Sequence, residues 1–521
     1  MTAASFVRQD ALPSPPLPAR LSRSAQGLVQ RALGSKPFWV GAALLVLACA
    51  ARLALISTSR FTGDEIVFWQ AASGIAKGTD FPLLGPSITG GGARHPGPLF
   101  YYVMALPLFL SKAPEACNAF VAILGGFSVL LYWSALRPFF GEVGATFAAA
   151  LMACAPWSTL YADRIWNPNV VVFFVAVSFW AACRMRQKPS LGALVLLVMS
   201  AAAKPQFHMS SPMVWLALTP IFLPTWRRWR WYWPLVAVGC AVLLYIPMLI
   251  YELRTHWENA RLFLAETGSN TSDDWKRVPA WAFRLLTLDI SYHQLHSYWG
   301  QHTEKEMLEF LENGNSDFVW TPLRRAALIL SGVFALGALV FWVVRAAVGG
   351  RSKPARPFLW AAIVGLAANT ALLGLTHKAV YGHYVESLLP FYFVAFAELG
   401  RAAITWSRGW WVVYGAAALV CIGGIDSALW VSNELDARNG LTTMRRVIAA
   451  VEKDRPGIHS ANLSFGYRGW NWGFNVIADL DHEPLSFGGG PGYRLMLRGN
   501  AAPNGARLVM ETGPVALYTW K

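Results

Sequence analysis

Charged residues are scarce in this sequence of 521 residues: 14% are Asp, Glu, Lys or Arg, whereas 55% are apolar. An ordinary soluble chain has about 25% charged residues. The shortage therefore argues against two or three soluble domains and favours a membrane protein. The mean hydropathy of +0.38 agrees with that interpretation.

Cysteine is missing from every polar segment. All six cysteines lie inside apolar runs, and no CxxC pair occurs, so we predict neither a disulfide framework nor a thiolate metal site. The histidines also lack a close metal-ligand spacing, HQLH at 293–296 being the nearest. We therefore predict no catalytic metal and no cofactor, although the sequence alone leaves a bound divalent ion open.

Two further signatures are absent. The Gly-rich stretch GPSITGGGARHPG has no strand before it and no GK[ST] after it, which indicates a flexible loop and not a nucleotide-phosphate loop. No internal repeat is found either, and this weakens an inverted-repeat transporter architecture.

Long apolar runs are what the sequence has in abundance. Most of them have about the 20 residues that a helix needs to cross the hydrocarbon of a membrane. They predict an all-α polytopic membrane protein with about eleven transmembrane helices, at 37–56, 114–136, 143–162, 166–183, 190–203, 206–224, 231–251, 322–344, 357–376, 380–399 and 409–430.

The apolar segment 96–111 needs a separate decision, because it is short and contains three prolines. If it stays juxtamembrane and the N-terminus is inside, the inner segments hold 18 basic and three acidic residues. That asymmetry is what the positive-inside rule predicts, whereas a crossing at 96–111 would put basic clusters such as WRRWR outside. We therefore interpret the net charge of +15 as a consequence of the membrane topology and of contact with membrane lipids. It is not taken as a sign of nucleic-acid binding.

This topology predicts three regions. Residues 1–35, rich in Pro, Ser and Arg, form a disordered cytoplasmic tail. Residues 36–430 form the transmembrane domain, with outer loops at 57–113 and 252–320. Residues 431–521 have mixed polar composition and form a small outer α/β domain, with a helix near 440–454.

The first outer loop carries two adjacent acids in the sequence TGDEIVFW. Asp64 and Glu65 stand just beyond the first apolar run, where a carboxylate is hydrated on one side and bordered by apolar residues on the other. Such a carboxylate can serve as a general base. The alternative is that Asp64 caps a helix that begins at Glu65. From spacing alone the cap is the more common arrangement.

The other candidates lie in or beside outer loops and could hold hydroxyl or phosphate groups. Asp163, Arg164 and Asn167 come from ADRIWNPN, which could equally be a simple turn. Each basic residue could instead extend toward lipid headgroups. The remaining candidates are Arg94, His95, Lys204, Lys378, His383 and Tyr384.

The order of these segments carries a family resemblance. GDE after the first span is followed by LLGPSI and RHPGPLFYYVMALPLFL, then by YADRIWNPN, KPQFH and HYVESLLP. This order over residues 37–400 resembles the GT-C glycosyltransferases, specifically the bacterial, family 39-like branch that includes protein mannosyltransferases and lipid A sugar transferases. The C-terminal 431–521 lies outside the resemblance.

The resemblance implies an inverting glycosyltransferase of the bacterial inner membrane, with the N-terminus cytoplasmic and the C-terminus periplasmic. Its substrates would be a polyprenyl-phosphate sugar donor and a lipid, glycan or protein acceptor. The general base would be Asp64, with Glu65 as its neighbour and potential substitute. One departure is HPGP at 95–98, where lipid A aminoarabinose transferases tend to have Lys-Pro-Pro, so a phosphate role there rests on Arg94 or His95.

Two alternatives remain at this stage. One is a transporter or flippase of lipid-linked sugars, although coupled transporters usually place ionisable residues at mid-membrane, and these runs have few. The other is a polymerase or ligase of lipid-linked glycans, which could share this layout.

Overall fold

The computed structural model describes residues 36–88, 92–160, 162, 164–209, 211–267, 274–288, 322–348, 355–377, 382–406, 409–465, 471–481 and 483–520. Two parts of the prediction lie outside these residues. They are the tail at 1–35 and, within the outer loop 252–320, the acidic segment TEKEMLEFLE at 303–312. The described part is mainly helical, with one small sheet near the C-terminus.

The helices of the described residues are numbered here in chain order. They are α1 (Lys36–Leu53), α2 (Asp64–Lys77), α3 (Leu99–Leu108), α4 (Pro114–Cys154), α5 (Pro156–Leu160), α6 (Asn167–Gln187), α7 (Leu191–Phe207), α8 (Val214–Phe222), α9 (Trp233–Leu243), α10 (Ile246–Arg254), α11 (Glu258–Thr267), α12 (Val278–Arg284), α13 (Pro322–Val348), α14 (Ala355–Thr376), α15 (Leu389–Tyr392), α16 (Val394–Ala403), α17 (Trp410–Trp430), α18 (Leu441–Asp454) and α19 (Asn471–Leu480).

Several of these helices are long and apolar enough to cross a membrane. Within the described residues there are six, or seven if the pair α9 and α10, bent by 58°, is one span. The predicted spans at 206–224 and 380–399 are divided into shorter helical pieces that contain Pro220 and Pro390. The chain is thus a multi-span helical protein, and the number of eleven spans stays a prediction.

Helix α4 covers the predicted span 114–136 and the larger part of the next one, 143–162, up to Cys154. Its 41 residues are interrupted at Gly141, whose backbone angles (φ 73°, ψ 175°) are not helical. A positive φ of this kind costs little only for glycine. Two helical arms therefore meet at Gly141, in the short interval that separates the two predicted spans.

Arg52 is buried near the end of α1, where a cation is costly unless it is paired or hydrogen-bonded. Its guanidinium donates to the carbonyl oxygens of Ala48 (2.8 Å), Ala153 (3.2 Å) and Ser158 (3.0 Å), and to the Ser158 hydroxyl (2.6 Å). Two of these carbonyls lie on either side of the break between α4 and α5. Arg52 therefore joins α1 to that break.

The segment predicted to be juxtamembrane forms α3, which is only ten residues long. At 1.5 Å per residue this helix is about 15 Å long, roughly half of the hydrocarbon thickness. It packs against α2, with the rings of Phe68 and Phe100 in edge contact at 5.0 Å. The short helix thus borders the loop that carries the two adjacent acids.

The C-terminal region contains the predicted small α/β unit. The strands are β1 (Ser460–Phe465), β2 (Ser486–Leu497), β3 (Arg507–Thr512) and β4 (Val515–Thr519), in the order β1-β2-β4-β3. β1 and β2 are parallel, and the other pairs are antiparallel. The helix expected near 440–454 is α18, whose buried face follows the helical period with Met444, Val447, Ile448 and Val451.

Candidate active site

The loop before the two adjacent acids is held by the segment that leads into α18. The Phe61 N–H donates to the Asn439 carbonyl oxygen (3.1 Å), and the Leu441 N–H donates to the Ser59 carbonyl oxygen (3.2 Å). Both Ser59 and Phe61 are buried. The entry to the C-terminal unit therefore fixes the backbone from which α2 starts.

Helix α2 begins at Asp64. Gly63, with φ +48°, occupies the N-cap, and no side chain caps the helix. The alternative in which Asp64 caps a helix that starts at Glu65 therefore differs from the structure. Two acids in the first turn interact favourably with the helix dipole.

The Asp64 carboxyl is accessible to solvent but borders protein on most sides. This partial desolvation raises the pKa of Asp64, while Arg60 and a hydrogen bond from the Trp166 side chain lower it by smaller amounts. A carboxylate that is positioned by one donor, open to solvent and shifted toward neutral pH can accept a proton.

The Glu65 carboxyl lies in a different environment, with the residue only 1% exposed. Arg60 Nη2 lies 3.1 Å from Glu65 Oε1. Burial raises the pKa of Glu65, Arg60 and Arg164 oppose that shift, and the adjacent Asp64 adds to it. Glu65 thus pairs with cations inside the protein, which is a structural role.

The loop before α6 reaches both acids. The Trp166 side chain hydrogen-bonds Asp64. Arg164 is buried, and its charge lowers the pKa of Glu65. Asn167 Nδ2 donates to the Phe207 carbonyl oxygen (2.6 Å), which ties the start of α6 to the end of α7. Asn167 therefore satisfies a backbone carbonyl at this end of the helices.

Aromatic and imidazole rings from four separated segments form one array beside the acids. The ring of Trp166 is 4.6 Å from that of His383, and His383 is 5.1 Å from His208. His208 is also 4.9 Å from Tyr384 and 6.1 Å from His95. These contacts place the four predicted outer segments at the same end of the helices, as the topology required.

Arg94 reaches the acids through a tyrosine of α3. Its Nε donates to the Gly85 carbonyl oxygen (2.8 Å), and its side chain hydrogen-bonds Tyr101. The charges of Arg94 and Asp64 have opposite effects on the Tyr101 hydroxyl, so all three groups are close together. Arg94 is thus a cation at the edge of the cluster.

Two of the predicted residues, Asp163 and Lys378, lie outside the described residues. Lys204 is fully buried at the end of α7, and its Nζ donates to Ser178 Oγ (3.2 Å), which also shares a hydrogen bond with Ser200 Oγ (2.8 Å). Its ammonium therefore lies between α6 and α7 and is not part of the ring array.

A cavity opens beside the ring array. About 200 Å³ of empty space, including the part open to solvent, is lined by Pro168, Val171, Val172, His208, His383, Glu386 and Ser387. Trp166, His208 and Glu386 were not among the predicted site residues, because only the folded chain brings these distant segments together. In the described part of the chain, no group of three or more His, Cys, Asp or Glu is placed to hold a metal ion, and the prediction of no metal stays untested.

Solved structures of other proteins share this architecture. ArnT from Cupriavidus metallidurans bound to undecaprenyl phosphate matches with a TM-score of 0.52 and 12% identity, over 93% of this chain and 98% of ArnT. Its apo state matches over 95% of this chain and 98% of ArnT with a TM-score of 0.49 and 12% identity. The Archaeoglobus fulgidus oligosaccharyltransferase matches with a TM-score of 0.44 and 12% identity, over 85% of this chain and 62% of its own length.

Neither a protein-family model nor a curated protein matches the chain. The architecture therefore rests on three-dimensional similarity, and the ArnT match covers nearly the whole of both chains. The chain has the GT-C fold of membrane glycosyltransferases.

Proposed function

We propose that this protein is an inverting glycosyltransferase that moves a sugar from a polyprenyl-phosphate donor to a lipid, glycan or protein acceptor. The observation that carries the proposal is the Asp64 carboxyl, which is accessible, positioned by Trp166 and has a raised pKa. The fold supports it, because ArnT, which shares the fold, was crystallised with undecaprenyl phosphate.

The reaction would be a single displacement. The acceptor hydroxyl oxygen forms a bond to the anomeric carbon while the bond from that carbon to the phosphate oxygen breaks. Asp64 takes the hydroxyl proton, and the polyprenyl phosphate leaves with the electron pair of the broken bond. Attack opposite to the leaving group inverts the anomeric centre. The Trp166 hydrogen bond would hold the carboxyl in one orientation for this proton transfer.

The departing phosphate gains negative charge and requires cations or hydrogen-bond donors. Arg94, hydrogen-bonded to Tyr101, is the described cation best placed for this role, because Arg60 and Arg164 interact electrostatically with Glu65. His95, His383 and Tyr384 belong to the ring array and could donate further hydrogen bonds. Roles for Asp163, Lys204 and Lys378 in substrate binding stay predictions.

We further propose that the cluster lies on the periplasmic face of a bacterial inner membrane, with the N-terminus cytoplasmic and the region 431–521 periplasmic. The excess of basic residues in the predicted inner segments supports this orientation. A reporter enzyme fused after residue 112 is expected to be active only outside. A cytoplasmic signal would contradict the orientation.

The function is tested in cells that lack the gene and carry either the wild-type protein or Asp64→Asn. Mass spectrometry of lipid A, surface glycans and glycoproteins should show a sugar that depends on the wild-type protein and is absent with Asp64→Asn. Asp80→Asn is the matched control, because Asp80 is an exposed acid just beyond α2. A full product with Asp64→Asn would refute the base. Identical glycans with and without the gene would favour the transporter.

A further inference from the structure

Glu386 is a buried acid without a hydrogen-bond partner in the described structure. Only 2% of the residue is exposed, and neither carboxylate oxygen has a hydrogen-bond partner among the described residues. The neighbouring Ser387 hydroxyl is also buried and, within the same part of the chain, makes no hydrogen bond. Both residues line the cavity described above. Buried polar groups are nearly always satisfied, so this pair requires an explanation.

Two other buried glutamates show how such a group is accommodated, whereas Glu252 leaves one of its two oxygens, and Glu386 both, without a hydrogen-bond partner among the described residues. Glu65 pairs with Arg60, and Glu398 accepts hydrogen bonds from Arg345 (3.3 Å) and Arg401 (2.7 Å). No comparable donor approaches Glu386 in the described structure. A molecule in the cavity that donates a hydrogen bond would satisfy this carboxyl, which among the described residues alone bears an uncompensated desolvation cost.

The cavity is connected to the candidate base by one ring contact and one hydrogen bond. His383 lines the cavity and touches the ring of Trp166, which hydrogen-bonds Asp64. The cavity and the candidate base therefore share the Trp166 and His383 rings as a common border, which is where a sugar substrate of the proposed reaction would lie.

The walls of the cavity restrict the chemistry of the occupant. Pro168, Val171 and Val172 provide an apolar side, which suits the C–H groups beside a polar substituent. Glu386, Ser387 and His208 provide the polar side. The free interior holds roughly one water molecule, so it accepts a single substituent and not a whole sugar ring.

We propose that Glu386 and Ser387 form a specificity pocket for one hydrogen-bond-donating substituent, a hydroxyl or amino group, of a sugar substrate. This inference rests on the proposed glycosyl transfer. The occupied carboxylate accepts hydrogen bonds from the substituent, and a substrate without that substituent leaves the carboxylate unsatisfied. Sites built in this way reject the deoxygenated analogue by on the order of 10⁴-fold.

The test uses the full-length protein in nanodiscs, with the polyprenyl-phosphate fraction of gene-deleted membranes as the source of donor. The remaining lipids, the glycans and the proteins of the same cells are the sources of acceptor, and the donor and acceptor fractions are diluted independently to obtain two apparent KM values. Glu386→Leu removes the carboxylate that would accept the hydrogen bond. Glu386→Gln keeps the shape of the side chain but not its charge, and Ser387→Ala removes the hydroxyl. Glu252→Gln is the matched control, a buried glutamate that does not line the cavity.

We expect Glu386→Leu to raise one of the two KM values at least tenfold, Glu386→Gln to have a smaller effect and Glu252→Gln to have none. A rise in the donor KM assigns the pocket to the transferred sugar, and a rise in the acceptor KM assigns it to the acceptor. Single-deoxy forms of that substrate should be discriminated by the wild type and accepted by Glu386→Leu to within about tenfold of the parent substrate.

Three results separate failure of the pocket from failure of the proposed function. Wild-type kinetics and wild-type discrimination in a folded Glu386→Leu protein would overturn the pocket while leaving glycosyl transfer intact. If Glu386→Leu does not fold, unchanged KM values and discrimination in both Glu386→Gln and Ser387→Ala overturn it instead. No transfer by the wild-type protein from the polyprenyl-phosphate fraction to any of the lipid, glycan or protein acceptors would refute the proposed function, and the pocket with it.

Discussion

Asp64 and Glu65 are adjacent in sequence, but their carboxyl groups lie in opposite environments. Asp64 is accessible and receives a hydrogen bond from Trp166, whereas Glu65 is buried and pairs with Arg60 at 3.1 Å. Successive residues of a helix point about 100° apart, so one acid can face the solvent while the other faces the protein. This division agrees with the proposed chemical role of Asp64 and with a structural role for Glu65.

Glu65→Gln should therefore reduce stability more than Asp64→Asn does. It leaves the positive charges of Arg60 and Arg164 without their carboxylate, which costs on the order of 3 kcal/mol for a buried pair. Asp64→Asn removes a charge whose desolvation is already unfavourable, as its raised pKa indicates. Thermal unfolding of both variants in detergent measures the difference. Equal stability of Glu65→Gln and wild type would contradict the structural role.

The rate of transfer should depend on pH through Asp64. The base is active only when ionised, so kcat/KM rises with pH and levels off above the raised pKa of Asp64. Trp166→Phe removes a hydrogen bond that lowers this pKa, and the acid limb should therefore move to higher pH. Phe358→Leu, a buried aromatic change that does not touch Asp64, provides the control. An unchanged acid limb in Trp166→Phe would contradict the assignment.

The sequence predicted which loops meet but not how their side chains are arranged. Charge parity predicted that the GDE, ADRIWNPN, KPQFH and HYVESLLP segments lie on one side of the membrane. The ring contacts and the hydrogen bond from Trp166 to Asp64 bring these segments together in the fold, while the side of the membrane stays a prediction. The direction of Lys204 was not predictable, because it depends on the phase of α7, which turns the ammonium toward Ser178.

The pattern of hydropathy also could not predict where helices are interrupted within the apolar runs. A window of apolar residues predicts a span but is insensitive to a single backbone angle, such as the positive φ of Gly141. The importance of Glu386 depends equally on its surroundings. In the sequence it is one charged residue near the end of an apolar run, and only the fold shows that no donor reaches it from the part of the chain that the structure describes.

Arg52→Lys is expected to destabilise the protein although it keeps the charge. The planar guanidinium donates to four acceptors, which lie on α1 and on both sides of the α4–α5 break. A lysine ammonium cannot reproduce the geometry of these four hydrogen bonds. We expect a loss on the order of 2 kcal/mol, since hydrogen bonds to charged groups contribute about 1.5–3 kcal/mol each. Thermal unfolding provides the measurement, with Arg230→Lys at an exposed arginine of a predicted inner loop as control.

The last prediction concerns the contact between the C-terminal unit and the candidate base. A Cβ on Gly440 would lie 2.7 Å from the Thr58 carbonyl oxygen, closer than real Cβ atoms come, although the backbone angles of Gly440 (φ −81°, ψ 154°) suit any residue. Gly440→Ala should therefore displace the loop before α2 without straining its own backbone.

Because a displacement of about 1 Å can cost roughly 10²-fold in rate, we expect Gly440→Ala to lower kcat by tenfold or more, with little change in either KM. Gly488→Ala is the matched control, since a Cβ there meets nothing within 4 Å. Partial unfolding would also lower the apparent kcat without changing KM. The quantity of folded protein is therefore measured in parallel, and kcat is expressed per folded protein. Wild-type kcat in Gly440→Ala would show that the C-terminal unit does not set the position of Asp64, and region 431–521 would then need another role.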